Sequence, residues 1–278
     1  MKQRVIDSLP RTAILEHNKN ILMSDHAQTL ATLRRTLEPG AEKFNAIPLG
    51  HEDADACLRG GLRHDALHEI FPGQAGHEPA ATGFTAALAL RMACGKKLLW
   101  IRQDFAALEF GELSATGLLE LGLDPSRLLL VQAADATDAL RAAHEGLTCA
   151  SLGAVVAEIP GAPKILDLVS SRRLTLAAAA HDVPAILLRP SAAPEPSAAE
   201  TRWLVRAAPS LSRDEDWGSA FFDAELARNR HGAAGRWVME WSADDGLFKS
   251  FGREADTGAV AAASADGSHP AERFRRTA

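Results

Sequence analysis

The residues most able to do chemistry follow a short apolar run, in the stretch 71–83 (F-P-G-Q-A-G-H-E-P-A-A-T-G). A glycine-rich turn between a strand and a helix is where backbone N–H groups can surround phosphate. Gly73, Gly76 and Gly83 supply the freedom and Thr82 a hydroxyl. A working phosphate loop, G-x-x-x-x-G-K-[ST], also needs a lysine to neutralise the outer phosphates. None occurs between Lys43 and Lys96; His77 and Glu78 stand where the cation belongs, and Glu78 would repel a triphosphate. The turn reads as a loop that no longer grips nucleotide. Magnesium chemistry also needs an acid at the end of a core strand. Asp104 closes W-I-R-Q-D (100–104) and Glu158 closes A-V-V-A-E (154–158). Either acid could instead cap the following helix. ATP with magnesium is therefore disfavoured, and the expectation is no cofactor.

Other chemistries find less support. His64, His68 and His77 with Glu69 and Glu78 form the densest cluster of ligand types. With no cysteine pair and no H-E-x-x-H helix, they read as solvated or hydrogen-bonded histidines, and no metal is expected. There is no G-x-S-x-G, no C-x-x-C and no credibly placed S-x-x-K, so no catalytic nucleophile is assigned. Arg228 and Arg230, beside His231, and the terminal cluster Arg273, Phe274, Arg275 and Arg276 are candidates for partner or DNA contact.

These residues need a frame. The chain has 278 residues, 46% of them hydrophobic and 24% charged, enough for a folded core and unlike a disordered chain. The formal net charge of -6 provides no general attraction to nucleic acid, so any DNA contact is local or indirect. Cys57, Cys94 and Cys149 are odd in number and far apart, as expected of reduced core or near-core thiols in a cytoplasmic protein. No segment approaches the roughly 20 apolar residues of a membrane span.

Apolar runs at 67–71, 97–101, 128–132, 154–158 and 185–188 alternate with helix-length segments, which predicts buried parallel strands with crossover helices. Ala136, Ala139, Leu140, Ala143 and Leu147 mark the buried stripe of one helix; Ile165, Leu168, Val169 and Leu174 mark that of the next. Residues 79–94 are apolar almost all round and predict the central helix. Residues 1–40 read as a separable helical arm closed by Pro39 and Gly40, 42–252 as the core, and 253–278 as a tail disordered when free. Within the core, 222–226 and 237–241 predict an antiparallel hairpin with a basic tip.

One set of motifs is more specific. Residues 44–50 (F-N-A-I-P-L-G), 56–62 (A-C-L-R-G-G-L) and 68–71 (H-E-I-F) resemble the stretch that leads into the phosphate loop of RecA-type recombinases. Residues 122–131 (G-L-D-P-S-R-L-L-L-V) resemble a later strand of that family. Asp104 falls near the family's catalytic glutamate and Glu158 near its strand acid. Arg189 and Pro190 stand where the family has its γ-phosphate sensors. With the arm and 225–237 (E-L-A-R-N-R-H-G-A-A-G-R-W), the whole is similar to the bacterial ImuA proteins over most of 28–250. That resemblance implies an α/β fold with a RecA-like, mostly parallel central sheet flanked by helices, an N-terminal helical arm and a C-terminal antiparallel hairpin. It implies an SOS-response accessory protein of DNA repair and mutagenesis. Its partners would be an ImuB-type homologue of Y-family polymerases, RecA, and indirectly an error-prone replicative-type polymerase in translesion synthesis. The competing reading is a weak or partner-activated ATPase acting on recombinase filaments or DNA, with an outside lysine completing the site.

Overall fold

The computed structural model describes residues 45–210 and 219–250; the arm at 1–40, the tail at 253–278 and the terminal arginine cluster lie outside them. A small antiparallel pair, β1 (Ala46–Ile47) and β2 (Leu62–Arg63), brackets helix α1 (Glu52–Cys57) and leads into the main sheet. There follow β3 (Leu67–Pro72), α2 (Glu78–Met92), β4 (Lys97–Gln103), α3 (Ala106–Phe110), α4 (Ala115–Glu120) and β5 (Leu128–Ala133). Next come α5 (Ala136–Leu147), β6 (Leu152–Glu158), α6 (Leu168–His181), β7 (Ala185–Leu188) and β8 (Thr201–Ala207). Strands β9 (Ala220–Asn229), β10 (Gly235–Ser242) and β11 (Leu247–Ser250) complete the described chain.

Among the described residues the main sheet runs β11-β10-β9-β8-β3-β7-β6-β4-β5. Strands β8 to β5 of that order are mutually parallel, and β9, β10 and β11 add antiparallel to β8. The mostly parallel α/β sheet with flanking helices and a C-terminal antiparallel hairpin is therefore as expected. All five apolar runs are parallel strands. Those buried on both faces carry near-continuous aliphatic sequence, as β6 and β7 do, because helices cover each side. β5 differs: as the sheet edge, it leaves Leu129 and Leu130 nearly half exposed instead of buried.

Strand alternation divides the core. Ile70, Leu98, Trp100, Val156, Ile186 and Trp203 face α2, while Leu67, Leu99, Ile101, Val155 and Leu187 face α5 and α6. Helix α2 is the central helix the sequence predicts. Its Phe84 is fully buried, with ring centroids 5.6 Å from Trp203, 5.6 Å from Phe222 and 5.1 Å from Phe248. One side chain thus ties the antiparallel extension to the parallel core.

Two expectations are corrected. Helix α5 buries the predicted stripe, but the next helix does not: Leu174 is buried, whereas Ile165, Leu168 and Val169 turn outward. Ser171, Ala177 and Ala178 take the inner face, because the close approach of α6 to α5 and the sheet admits small side chains there. Cys94 and Cys149 are exposed rather than near-core, since both lie in the turns that follow α2 and α5. Of the two readings for the histidines, hydrogen-bonded holds for His64 and His68, which are buried: His64 lies against Asp182 Oδ1 (2.9 Å) and Met92 O (3.2 Å), His68 against Thr201 Oγ1 (2.8 Å) and Arg63 O (2.9 Å).

Burial of His68 pulls its pKa from 6.5 down to about 4, against the opposing pull of its bond to the Arg63 carbonyl. The unfolded chain then binds the proton more readily, so the stability contributed by neutral His68 is complete above pH 6.5 and is lost as pH falls towards 4. The expected loss near pH 4 is about 3 kcal/mol. Urea denaturation of the wild type and His68→Gln at pH 7 and pH 4 measures it: the variant should lose about 3 kcal/mol less across that interval. Equal losses would refute the assignment.

Candidate functional site

The loop after β3 and the acids at the strand ends lie at the same, C-terminal edge of the sheet, where open α/β sheets bind ligands. With neighbouring strands about 4.8 Å apart, β6 stands roughly 10 Å from β3, with β7 between them; β4 is one strand further. Glu158 ends β6 and is 1% exposed. Arg102, its parallel register partner on β4, donates from Nε to Oε2 at 2.7 Å and from Nη2 to Oε1 at 3.0 Å. Trp100 Nε1–H adds a bond to Oε2 at 3.2 Å. Both carboxylate oxygens are therefore taken. Arg102 is itself buried, and its Nη2 also donates to the Gly111 carbonyl at 2.9 Å. A bidentate guanidinium occupies the positive position that a metal ion would need beside this acid.

Asp104 lies just past β4 and is exposed; its backbone N–H donates to the Ala133 carbonyl at 2.9 Å. That bond ties it towards β5, whereas Glu158 is held by Arg102 and Trp100.

The loop is stapled to β8. Gly73 N–H donates to the Val205 carbonyl at 2.7 Å, and Ala207 N–H donates to His77 Nδ1 at 2.8 Å. The second ring nitrogen of His77 lies 2.8 Å from the Gln74 amide, so His77 precedes α2 without capping it through its side chain. Over the first glycine lies Arg206: a Cβ on Gly73 would come within 2.5 Å of its Cγ and 2.9 Å of its Cζ. That guanidinium is already committed to Glu225 Oε2 at 3.2 Å and lies 4.0 Å from Asp223. Gly76 sits at φ +86° with open space around it, a turn geometry that favours glycine. Thr82 and Gly83 lie inside α2, not at its mouth. Gly83 is a packing position, where a Cβ would meet the Phe222 ring at 3.4 Å.

Nearby, Glu69 is buried and accepts from Arg202 Nε and Nη2 at 2.9 and 2.7 Å. The Phe71 ring lies 5.6 Å from both the Arg189 and Arg202 guanidinium carbons. Arg189 is buried and donates to the Ile159 and Gly161 carbonyls at 3.1 and 2.7 Å; burial lowers its pKa, and Glu69 opposes that shift. Arg189 is thus a structural cation.

At the hairpin, Arg228 folds back to donate to the Ser197 carbonyl at 3.0 Å, and His231 meets Glu200 at 3.3 Å. Asn229 Nδ2 donates to the Cys57 carbonyl at 3.0 Å, docking the tip on the end of α1. Arg230 is exposed. Sequence reasoning missed Arg102, Arg202 and Arg206. The last two alternate with the core residues Trp203 and Val205, and that alternation was the available sign that they face the other side of β8. Among the described residues there is no group of three or more metal-ligand side chains.

No family model matches the chain, and no curated protein matches its sequence. Among solved structures the chain is similar to the crystal structure of the RadB recombinase, at 17% identity over 73% of this chain and 99% of that one, with a TM-score of 0.49. A likeness at that level assigns no activity.

Removing one member of a buried ion pair strands the other charge. Arg102→Met is expected to cost about 3–5 kcal/mol in urea denaturation, and Arg102→Met combined with Glu158→Leu to recover most of it. A single variant as stable as the wild type would show that the pair does not hold Glu158 in the folded chain.

Proposed function

We propose that this chain is a non-catalytic RecA-like accessory protein of damage-induced translesion DNA synthesis. It would act with an ImuB-type homologue of Y-family polymerases, with RecA as a second partner and an error-prone replicative-type polymerase reached indirectly. The partners come from the sequence resemblance. The observation that carries the non-catalytic half is the Arg102–Glu158 pair, which leaves the strand acid no free oxygen for magnesium. The missing lysine, the loop stapled to β8 and the paired state of Arg206 support the same reading. A frame with its fuel site closed is suited to binding proteins.

The partner-activated ATPase is the competing reading, favoured by the exposed carboxylate of Asp104 at the same sheet edge. Titration calorimetry with Mg-ATP and a steady-state phosphate-release assay separate the two. The adaptor reading expects no saturable heat and no turnover above buffer, alone or with RecA and the ImuB-type partner. It also expects capture of purified ImuB-type protein by the full chain. Micromolar Mg-ATP affinity lost in Glu158→Ala, or brisk hydrolysis, would reverse the assignment.

A further inference from the structure

Helix α6 is built inside out. Its inner face is made of Ser171, Leu174, Ala177 and Ala178, while the larger aliphatics point to solvent: Leu168 is 54% exposed, Val169 57% and Leu176 59%, with Ile165 at 46% in the turn before them. Positions 168, 169, 172, 173 and 176 follow helical spacing, so these residues form one continuous stripe with Arg172 and Arg173 in its middle. Scattered exposed aliphatics are ordinary on a protein surface. Three aligned on one helix, with Ile165 in the turn before it and a mostly small-residue face opposite, are not scattered; such a stripe is the form of a helix-binding surface.

Charge selects the occupant. Residues 168–181 contain two arginines and no carboxylate, and neither arginine has an ion-pair partner among the described residues. Asp167, at the N-cap, directs its carboxylate to the Ser170 N–H at 2.8 Å, within a capping box. A second copy of the chain meeting this stripe across a two-fold axis would set the arginine pairs against each other. A nucleic acid would find aliphatic side chains where it needs stacking surfaces.

We infer that the outward stripe of α6, Leu168, Val169 and Leu176 around Arg172 and Arg173, with Ile165 before it, is the docking site for an amphipathic helix of a partner protein whose apolar face is flanked by carboxylates. The inference deepens the adaptor reading and rests on it for the existence of a partner. The partner's leucine-type residues would cover the stripe, and its Asp or Glu residues would pair with the two guanidinium groups.

The test uses the full chain and two synthetic amphipathic peptides of identical leucine spacing, one flanked by glutamates and one by lysines, read by fluorescence anisotropy. The glutamate peptide should bind at least tenfold more tightly. Leu168→Asp with Leu176→Asp should weaken it at least tenfold, and Arg172→Glu with Arg173→Glu should reverse the peptide preference. Equal affinity for the two peptides, or no binding by the wild type, overturns the inference without requiring any variant to fold. So does a wild-type dimer in sedimentation that the leucine variants dissolve, or displacement of the glutamate peptide by a single-stranded oligonucleotide. ATP hydrolysis by the same preparation would instead sink the adaptor reading, so the two failures are distinguishable.

Discussion

A guanidinium and a carboxylate buried side by side at the end of two parallel strands govern what this sheet can do. Glu158 closes a central parallel strand, and Arg102 reaches it from the adjoining strand in register. Taking both charges out of water is costly, and the arrangement persists because the two bonds from Arg102, the Trp100 N–H and the Gly111 carbonyl satisfy the pair together. Such a pair fixes the ends of the two strands to each other.

Arginines held by partners within the chain recur across this part of the sheet. Arg206 covers Gly73 and is held by Glu225; Arg202 is held by Glu69; Arg189 is held by two carbonyls of the loop after β6. Each arginine has partners within the chain, so the edge is charged yet internally balanced. The antiparallel extension makes this possible, because β8 and β9 supply Arg202, Arg206 and Glu225, and Phe84 anchors both strands to the central helix through Trp203 and Phe222. Local order at the loop is therefore a consequence of distant packing.

If the sheet edge is closed, interaction must use the outer surfaces. Among the described residues β5 is an edge strand with Leu129 and Leu130 nearly half exposed, and α6 turns its larger aliphatics outward around two arginines. Both features run against the stability of an isolated monomer, since apolar area stays in water.

The strands were legible in the amino-acid order because parallel strands under helices are largely apolar along their length, which 185–188 and, up to its terminal Glu158, 154–158 display without any knowledge of neighbours. The absent lysine was legible too, since a missing residue type needs no coordinates. The outward turn of Leu168 and Val169 was not, because helical periodicity shows that a stripe exists and not which stripe faces the sheet. Nor was the fate of Glu158. Residues 102 and 158 lie 56 positions apart, and only the pairing of β4 with β6 brings them into contact. Sequence alone determined the alternation of strands and helices and the loss of the phosphate-binding cation, both local properties of residue type and period. Tertiary structure alone decided that the acid is neutralised, the loop stapled and one helix inverted, because these depend on which distant side chains share a low-dielectric space.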